Sequence, residues 1–429
     1  MAQRQSSPNR GSEFVGTLCE LDITNVAHGG VFVARHEGRV IFVADTLPGE
    51  RVLARITDAS QKSFWRADTV QVLKPSADRQ EHIWSAASID RDPALRAGGA
   101  EFGHITLSTQ RDLKAFVLED SLSRMAKIER SIEVEALEGD QESKGTGWRT
   151  RVRLHVDADG RVGPYASRSH TVIDVEDLPL AAARIAELAP LGQRIPGIDF
   201  IDLVGPSGDS ARAIAGNIDT GKNKKRPAPE PITEMVGTRA FQVDVRGFWQ
   251  VHRHAATTLS EAVSSVIDEA LFDPRAANHD LYGGVGLFAA AVGDRFGSTT
   301  RMISVESDEM ATEYASNNLS EWVGARAVTA RVDRYLEGVR RDLNAIEKAR
   351  FEAATIVLDP PRSGAGKDVV NSLAELSPAQ LVYVACDPVA LARDVALLAE
   401  RGYQLEELRA FDLFPNTHHV EAVARFVRA

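Results

Sequence analysis

Four times in the second half of the chain a short apolar run ends in a turn and is followed by a helical pattern. The runs are NHDLYGGVG, RMISVES, ATIVLDPPR and LVYVACDP. Runs of this kind, alternating with helices, bury their strands only in a parallel sheet, because each parallel neighbour needs a helical crossover. The expected fold class is therefore α/β, with a Rossmann-like, doubly wound C-terminal sheet. Ligands of such sheets sit beyond the carboxyl ends of the strands. The tail, YQLEELRAFDLF then HHVEAVARFVRA, reads as two strands joined by a loop, an antiparallel hairpin at the edge of that sheet.

Each turn carries candidate chemistry. Gly284, Gly286 and Ala289 fit the G-x-G-x-x-G/A fingerprint, which by itself admits a dehydrogenase. Glu306 closes the next run, where a carboxylate accepts hydrogen bonds from a ribose. Asp359 precedes two prolines, which remove backbone donors and stiffen a loop facing a planar ligand. A methyltransferase acting on a flipped base needs such a loop and hydride transfer does not. Cys386, one of two cysteines in the chain, ends the LVYVA run. It is a nucleophile candidate, with packing as the alternative. Carbon 5 of uracil becomes nucleophilic only after a thiolate adds at carbon 6, and a base must later remove the carbon-5 proton. Glu421 is the candidate base, with His418 and His419 as rivals.

The rest of the chain is less explicit. Residues 13–75 alternate short apolar runs with the turns HGG, EGR and LPGE, which predicts a five-stranded β-barrel with Cys19 in its core. The segment 111–128 has helical spacing. In WRTRVRLHV, Arg149, Arg151 and Arg153 share one strand face, either solvated or set against phosphates. Lys222, Lys224, Lys225 and Arg226 lie in a Pro-rich loop with the same two readings. The net charge of −11 argues against a broadly basic nucleic-acid binder, so any RNA site must be local. Two cysteines exclude a disulfide framework and suit a reducing, cytoplasmic setting. No zinc spacing and no run of apolar residues long enough to cross a membrane is present. The polar start, MAQRQSSPNRGSEF, reads as a disordered tail.

Taken together, GFWQVH, DLYGGVG, SVESD, VLDPPRSG, VYVACDP with LARD, and DLFPNTHHVE resemble, in order, the motifs of the RNA uracil-C5 methyltransferases that make 5-methyluridine in tRNA and 23S rRNA. The resemblance implies a TRAM-like β-barrel at 13–75. It implies a β-rich central domain at 76–92 and 125–245, and a class I S-adenosylmethionine-dependent domain at 93–124 and 246–429. It makes Cys386 the nucleophile and Glu421 the base. Gln250, Tyr282, Gly284, Glu306, Asp333 and Asp359 would hold S-adenosylmethionine, with Asp359 also reading the uracil and Phe248 packing on the target base. The implied partner is tRNA or 23S rRNA, bound by a monomer. Relatives often carry a four-cysteine iron–sulfur cluster. Here Ala97, Ala100 and Leu178 stand in its cysteine positions, so no cluster is expected. His252 stands where Asn is usual and Gly283 where Cys is frequent. An RNA-binding protein with a decayed catalytic domain is the alternative, opposed by the intact Cys386, Glu421 and Asp359.

Overall fold

The computed structural model describes residues 12–218 and 228–428. The cluster Lys222–Arg226 lies outside the described residues, so neither reading of it is addressed. Five strands, β1 (Leu18–Ala27), β2 (Val31–His36), β3 (Arg39–Ala44), β4 (Arg51–Asp58) and β5 (Phe64–Lys74), close into a barrel in the order β1-β2-β3-β5-β4. Alternate side chains such as Leu21, Ile23, Phe32, Ile41 and Val52 fill its interior, as a period of two requires. Cys19 is only half-buried, packed on the edge of that core rather than within it.

The long helix begins earlier than the sequence pattern suggests, with α1 spanning Leu107–Ser121. A π-type turn at Leu122–Ala126 follows and stops at Lys127, whose φ of 58° is left-handed. Next come β6 (Val134–Glu135), β7 (Arg151–Val156), β8 (Val162–Gly163), the single turn α2 (Ala183–Ala186), β9 (Phe200–Val204) and β10 (Arg212–Gly216). The central sheet has the order β10-β9-β7-β8, and the hairpin β11 (Pro231–Val236) with β12 (Arg239–Asp244) completes this part. Ala97, Ala100 and Leu178 pack into one apolar cluster with Trp84, Trp148 and Leu154.

The arginine face of β7 is largely spoken for within the protein. Arg151 donates to the carbonyls of Val245 and Gly247 at 3.3 and 2.8 Å, and Arg153 pairs with Asp202 through two bonds of 2.7 and 2.8 Å. Arg149 lies just outside the strand, bridged to His252 and Ala181.

The remaining elements alternate. Helix α3 (Ala255–Val266) leads into β13 (Asn278–Leu281), α4 (Leu287–Phe296), β14 (Met302–Glu306), α5 (Glu309–Asn318), β15 (Ala325–Thr329), α6 (Val332–Asp342) and α7 (Ala345–Glu352). Then follow β16 (Thr355–Leu358), α8 (Gly366–Leu376), β17 (Gln380–Ala385), α9 (Pro388–Ala399), β18 (Tyr403–Phe411) and β19 (Glu421–Arg428). The sheet order is β15-β14-β13-β16-β17-β19-β18-β6, parallel through β17. The terminal hairpin is not the sheet's edge as the sequence implied. β19 lies between β17 and β18, and β6 pairs outside β18. Ile132 and Val134, assigned from sequence to the central part, pack in the core of this sheet. Chain order reverses between β13 and β16, which opens the crevice where sheets of this kind bind ligands.

Candidate active site

A cavity of about 1350 Å³ fills that crevice. Its wall contains all nine residues singled out from sequence: Phe248, Gln250, Tyr282, Gly284, Glu306, Asp333, Asp359, Cys386 and Glu421. Strand register explains why. Leu281, Val305, Leu358 and Tyr383 lie level across the parallel strands, so the residues just beyond them converge on one rim. On the antiparallel side Ala385 pairs with Ala422, so Cys386 and Glu421, each one residue beyond that pair, lie close enough for the carboxylate charge to act on the thiol. The thiol and the carboxylate are thus neighbours because the last strand runs backwards into the sheet.

Each wall is tied down. The Asp359-Pro360-Pro361-Arg362 loop closes with the Gly364 amide donating to the Pro361 carbonyl at 2.7 Å. Buried Asp394, on α9, accepts from the amides of Ala365 and Gly366 at 2.7 and 3.2 Å and from the Tyr383 hydroxyl at 2.8 Å. This gives the LARD segment its purpose. The loop leading into Glu421 at the start of β19 is held by Asn416, which is fully buried with a left-handed φ of 65°. Its side chain accepts from Gln110 and donates to the carbonyls of Lys144 and Gly145. A buried ion pair between Lys114 and Asp412, 2.5 Å apart, fixes the start of the same loop. The barrel reaches the site as well. His28, on its first turn, donates to Asp387 at 2.9 Å, and Asp387 caps α9 directly after Cys386.

Electrostatics at the centre favour protonated acids. Burial, then the charges of Glu421 and Asp359, pushes the Cys386 thiol up to about 12. Burial raises Asp359 to about 7. Glu421, only 4% exposed, is raised well above the usual carboxylate range by burial and then by Asp359. Arg362 acts in the opposite direction on both Cys386 and Glu421. It was not selected from the sequence, although its place directly after the two prolines was the available signal. Burial and then His418 lower His419 to about 3, which keeps it neutral.

The glycine-rich side suits a nucleoside. Tyr282 has a left-handed φ of 62°, uncommon outside glycine, and Gly284 follows at 54°. Glu306 accepts three bonds at Oε1, from the Ser307 amide and hydroxyl and the Asp308 amide, at 2.6, 3.0 and 2.8 Å. Its Oε2 takes one, from the Gly284 amide at 3.2 Å, and so keeps an acceptor position. Asp333 is bonded to Arg331 at 3.0 Å. Phe248 stands 75% exposed over the opening. Among the described residues no group of three His, Cys, Asp or Glu side chains is arranged to hold a metal ion.

A family model described as tRNA (Uracil-5-)-methyltransferase matches residues 258–428, and a TRAM domain model matches 13–64. An uncharacterised RNA methyltransferase of Streptomyces coelicolor is 37% identical, over 96% of this chain and 93% of its own. The chain belongs to the RNA (uracil-5-)-methyltransferase family. An uncharacterised RNA methyltransferase of Bifidobacterium longum is 33% identical, over 95% and 96% of the two chains. The Pyrococcus abyssi tRNA (uracil-54, C5)-methyltransferase, solved with S-adenosyl-L-homocysteine, is similar in fold. Its TM-score is 0.67 at 20% identity, covering 95% of this chain and all of that one. The methyltransferase therefore carries a TRAM barrel on an α/β catalytic sheet, and no helix among its described residues is long and apolar enough to cross a membrane.

Two features that looked irregular in sequence have local causes in this methyltransferase. His252 is buried, accepts the His254 amide at Nδ1 (3.1 Å), and so donates from Nε2 to buried Asp140 at 3.1 Å. It also stacks on Trp148 at 5.5 Å. Gly283 has no room for a side chain, since a Cβ there would lie 2.1 Å from Ser304 Oγ and 2.8 Å from Asp280 Oδ2.

Proposed function

We propose that this enzyme transfers a methyl group from S-adenosylmethionine to carbon 5 of a uridine in tRNA or 23S rRNA, through a covalent adduct of Cys386 with carbon 6. The observation that carries this reading is that Cys386, just past Ala385, and Glu421, just before its partner Ala422, line one cavity together with Asp359. The S-adenosylmethionine side is read from the open acceptor position of Glu306 Oε2 and the left-handed turn at Tyr282 and Gly284. Gln250 and Asp333 complete that wall. When bound there, S-adenosylmethionine supplies an electrophilic methyl group.

The chain's own residues do the rest. Phe248 offers the exposed ring on which a flipped base stacks. Asp359, raised to about 7, is half protonated near neutrality and so donates to a uracil carbonyl. That hydrogen bond strengthens as the minor thiolate form of Cys386, its proton released to solvent, adds to carbon 6 and charge builds on the carbonyl oxygen. Carbon 5 then carries both its proton and the new methyl group. The Glu421 carboxylate takes the proton, the 5,6 double bond re-forms, and the Cys386 thiolate leaves. A carboxylate with a raised pKa is a stronger base for that step, and a catalytic base is most effective with a pKa near the working pH.

The test compares the enzyme with Cys386→Ala on total RNA from cells lacking the gene, followed by mapping of 5-methyluridine. The wild type restores one or a few sites, which names the substrate, and the variant restores none. Restoration by Cys386→Ala at the wild-type rate removes the covalent mechanism.

A further inference from the structure

We infer that a second cavity, between the barrel and the central sheet, binds the nucleotide adjacent to the target uridine, with Arg149 holding the phosphate between them. The inference rests on the reading of the first cavity as the uridine site. The second cavity has a volume of about 480 Å³, ample for one nucleotide. It shares Gly99, Glu101 and Arg149 with the Cys386 cavity, so one chain can pass from one to the other. The barrel forms its roof through Gly29, Gly30 and Val31, and Gly30 approaches so closely that a Cβ there would lie 2.9 Å from His418 Cβ.

Its wall has the chemistry of a nucleotide site. Tyr165 and His155 stack face to face, centroids 3.5 Å apart and planes 10° apart, and both line the cavity. A base extends such a stack regardless of its sequence. Three arginines line the space, but two are already matched, Arg153 to Asp202 and Arg168 to Asp68 of the barrel. Arg149 donates only its Nε, to the Arg151 carbonyl at 3.0 Å, and no carboxylate pairs with it among the described residues. Its guanidinium thus keeps both terminal amino groups for an acceptor at the boundary between the cavities. Glu101 shares that boundary; burial disfavours its charged form, but interaction with His418, whose Nδ1 stands 3.6 Å away, outweighs burial and keeps it ionised, so a phosphate must sit on the Arg149 side.

The probes are uridine and the trinucleotide UpUpU, titrated into the full chain while following tryptophan fluorescence. Trp84 lines the second cavity and Trp148 adjoins Arg149, so both report on its filling. The variants are Arg149→Met, Tyr165→Ala and Cys386→Ala. Expected is a UpUpU affinity reduced about tenfold by Tyr165→Ala, as for a lost base stack. A comparable loss is expected for Arg149→Met, with the salt dependence of binding shallower by about 0.7, one phosphate on a single strand. Uridine should bind both variants as it binds the wild type, which also shows that they are folded. Wild-type UpUpU affinity in both variants overturns the inference. So does an equal loss of uridine and UpUpU, which would place Arg149 and Tyr165 in the uridine site or in the fold. Cys386→Ala is used only in the methylation assay. Its 5-methyluridine mapping tests the methylation reading separately, since that reading can fail while the trinucleotide result stands.

Discussion

Replacing Asp359 by Asn should stabilise the enzyme while disabling it, and the stabilisation should depend on pH. Asp359 has an ordinary carboxyl pKa of 3.8 when unfolded and about 7 in the cavity. Between these values the folded state binds the extra proton, so the wild type loses stability as pH rises from about 4 to about 7 and then levels off. Roughly three pKa units at about 1.4 kcal/mol each set an upper limit of about 4 kcal/mol. Water in the open cavity screens the charge, so about 2 kcal/mol is a sounder expectation. Asn cannot ionise and escapes this slope. Asp280 and Glu421, raised by burial and further by the charge of Asp359, lose that further contribution in the variant, which widens the gap in the same direction. Urea unfolding of wild type and variant at intervals from pH 5 to pH 8.5 measures the gap. It should be small at pH 5, grow to about 2 kcal/mol by pH 7.5, and stay constant above. At the same time the methylation rate should fall by roughly a hundredfold, as for loss of a single oxyanion donor. Parallel pH profiles, or an Asn variant less stable at pH 8, would show that Asp359 is held ionised by a partner and would refute its role as a protonated donor.

Glu421→Gln should form the Cys386 adduct but release it slowly, so a protein–RNA band should build up on denaturing gels; rapid turnover without the band would reassign the base. His28→Ala should lower stability in mildly acidic buffer and converge with wild type in alkaline buffer. The hydrogen bond to Asp387 raises the His28 pKa, so its contribution is present below the unfolded value of 6.5 and fades as pH climbs through the raised one. Thermal melts at pH 6 and pH 9 read this, and an equal deficit at both would mean that packing rather than charge is at work. Gly283→Ala should cost about 1–3 kcal/mol, as overpacking does, because its Cβ meets Ser304 and Asp280. A denaturant midpoint unchanged from wild type would show that β13 can shift to make room.

The catalytic sheet was legible in sequence because its strands are continuous apolar runs closed by turn residues with chemistry. The four residues of β16 and the six of β17 are buried throughout, and that is the pattern their sequence shows. β15 was missed for the opposite reason. It is an edge strand, Ala-Arg-Ala-Val-Thr, with no buried residue, so neither alternation nor an apolar run marks it. β6 is two residues long and carries no periodic signal at all. Of the three arginines that alternation sets on one face, Arg149 lies outside β7, and Arg151 and Arg153 are already matched by Glu234, Asp202 and backbone carbonyls. Those partners lie about 50 to 100 residues away, a distance no local pattern spans.

The first strand, Asn278-His279-Asp280-Leu281, shows why polarity in a central strand need not argue against it. All four residues are buried. Asn278 accepts the Thr355 amide at 2.8 Å and donates to the Asp273 carbonyl at 2.9 Å. His279 bonds the Ala277 carbonyl and the Tyr335 hydroxyl, and burial lowers it to about 4, so it stays neutral. Asp280 accepts the Ala289 amide at 3.0 Å from the first turn of α4, and burial raises it to about 7. Asn278 and His279 are therefore satisfied in their bonded neutral forms, which removes most of the cost of burying them, while Asp280 is held through Oδ2 alone and its buried Oδ1 has no hydrogen-bond partner among the described residues. The bonds also do positional work. Asn278 ties β13 to β16, and Asp280 fixes the turn that carries Tyr282 and Gly284 to the helix behind it. An apolar strand would pack as well but leave that turn free to slide. The polar residues that weaken the sequence signal are those that set the glycine-rich rim against the Asp359 loop, and hence the distance a methyl group must cross.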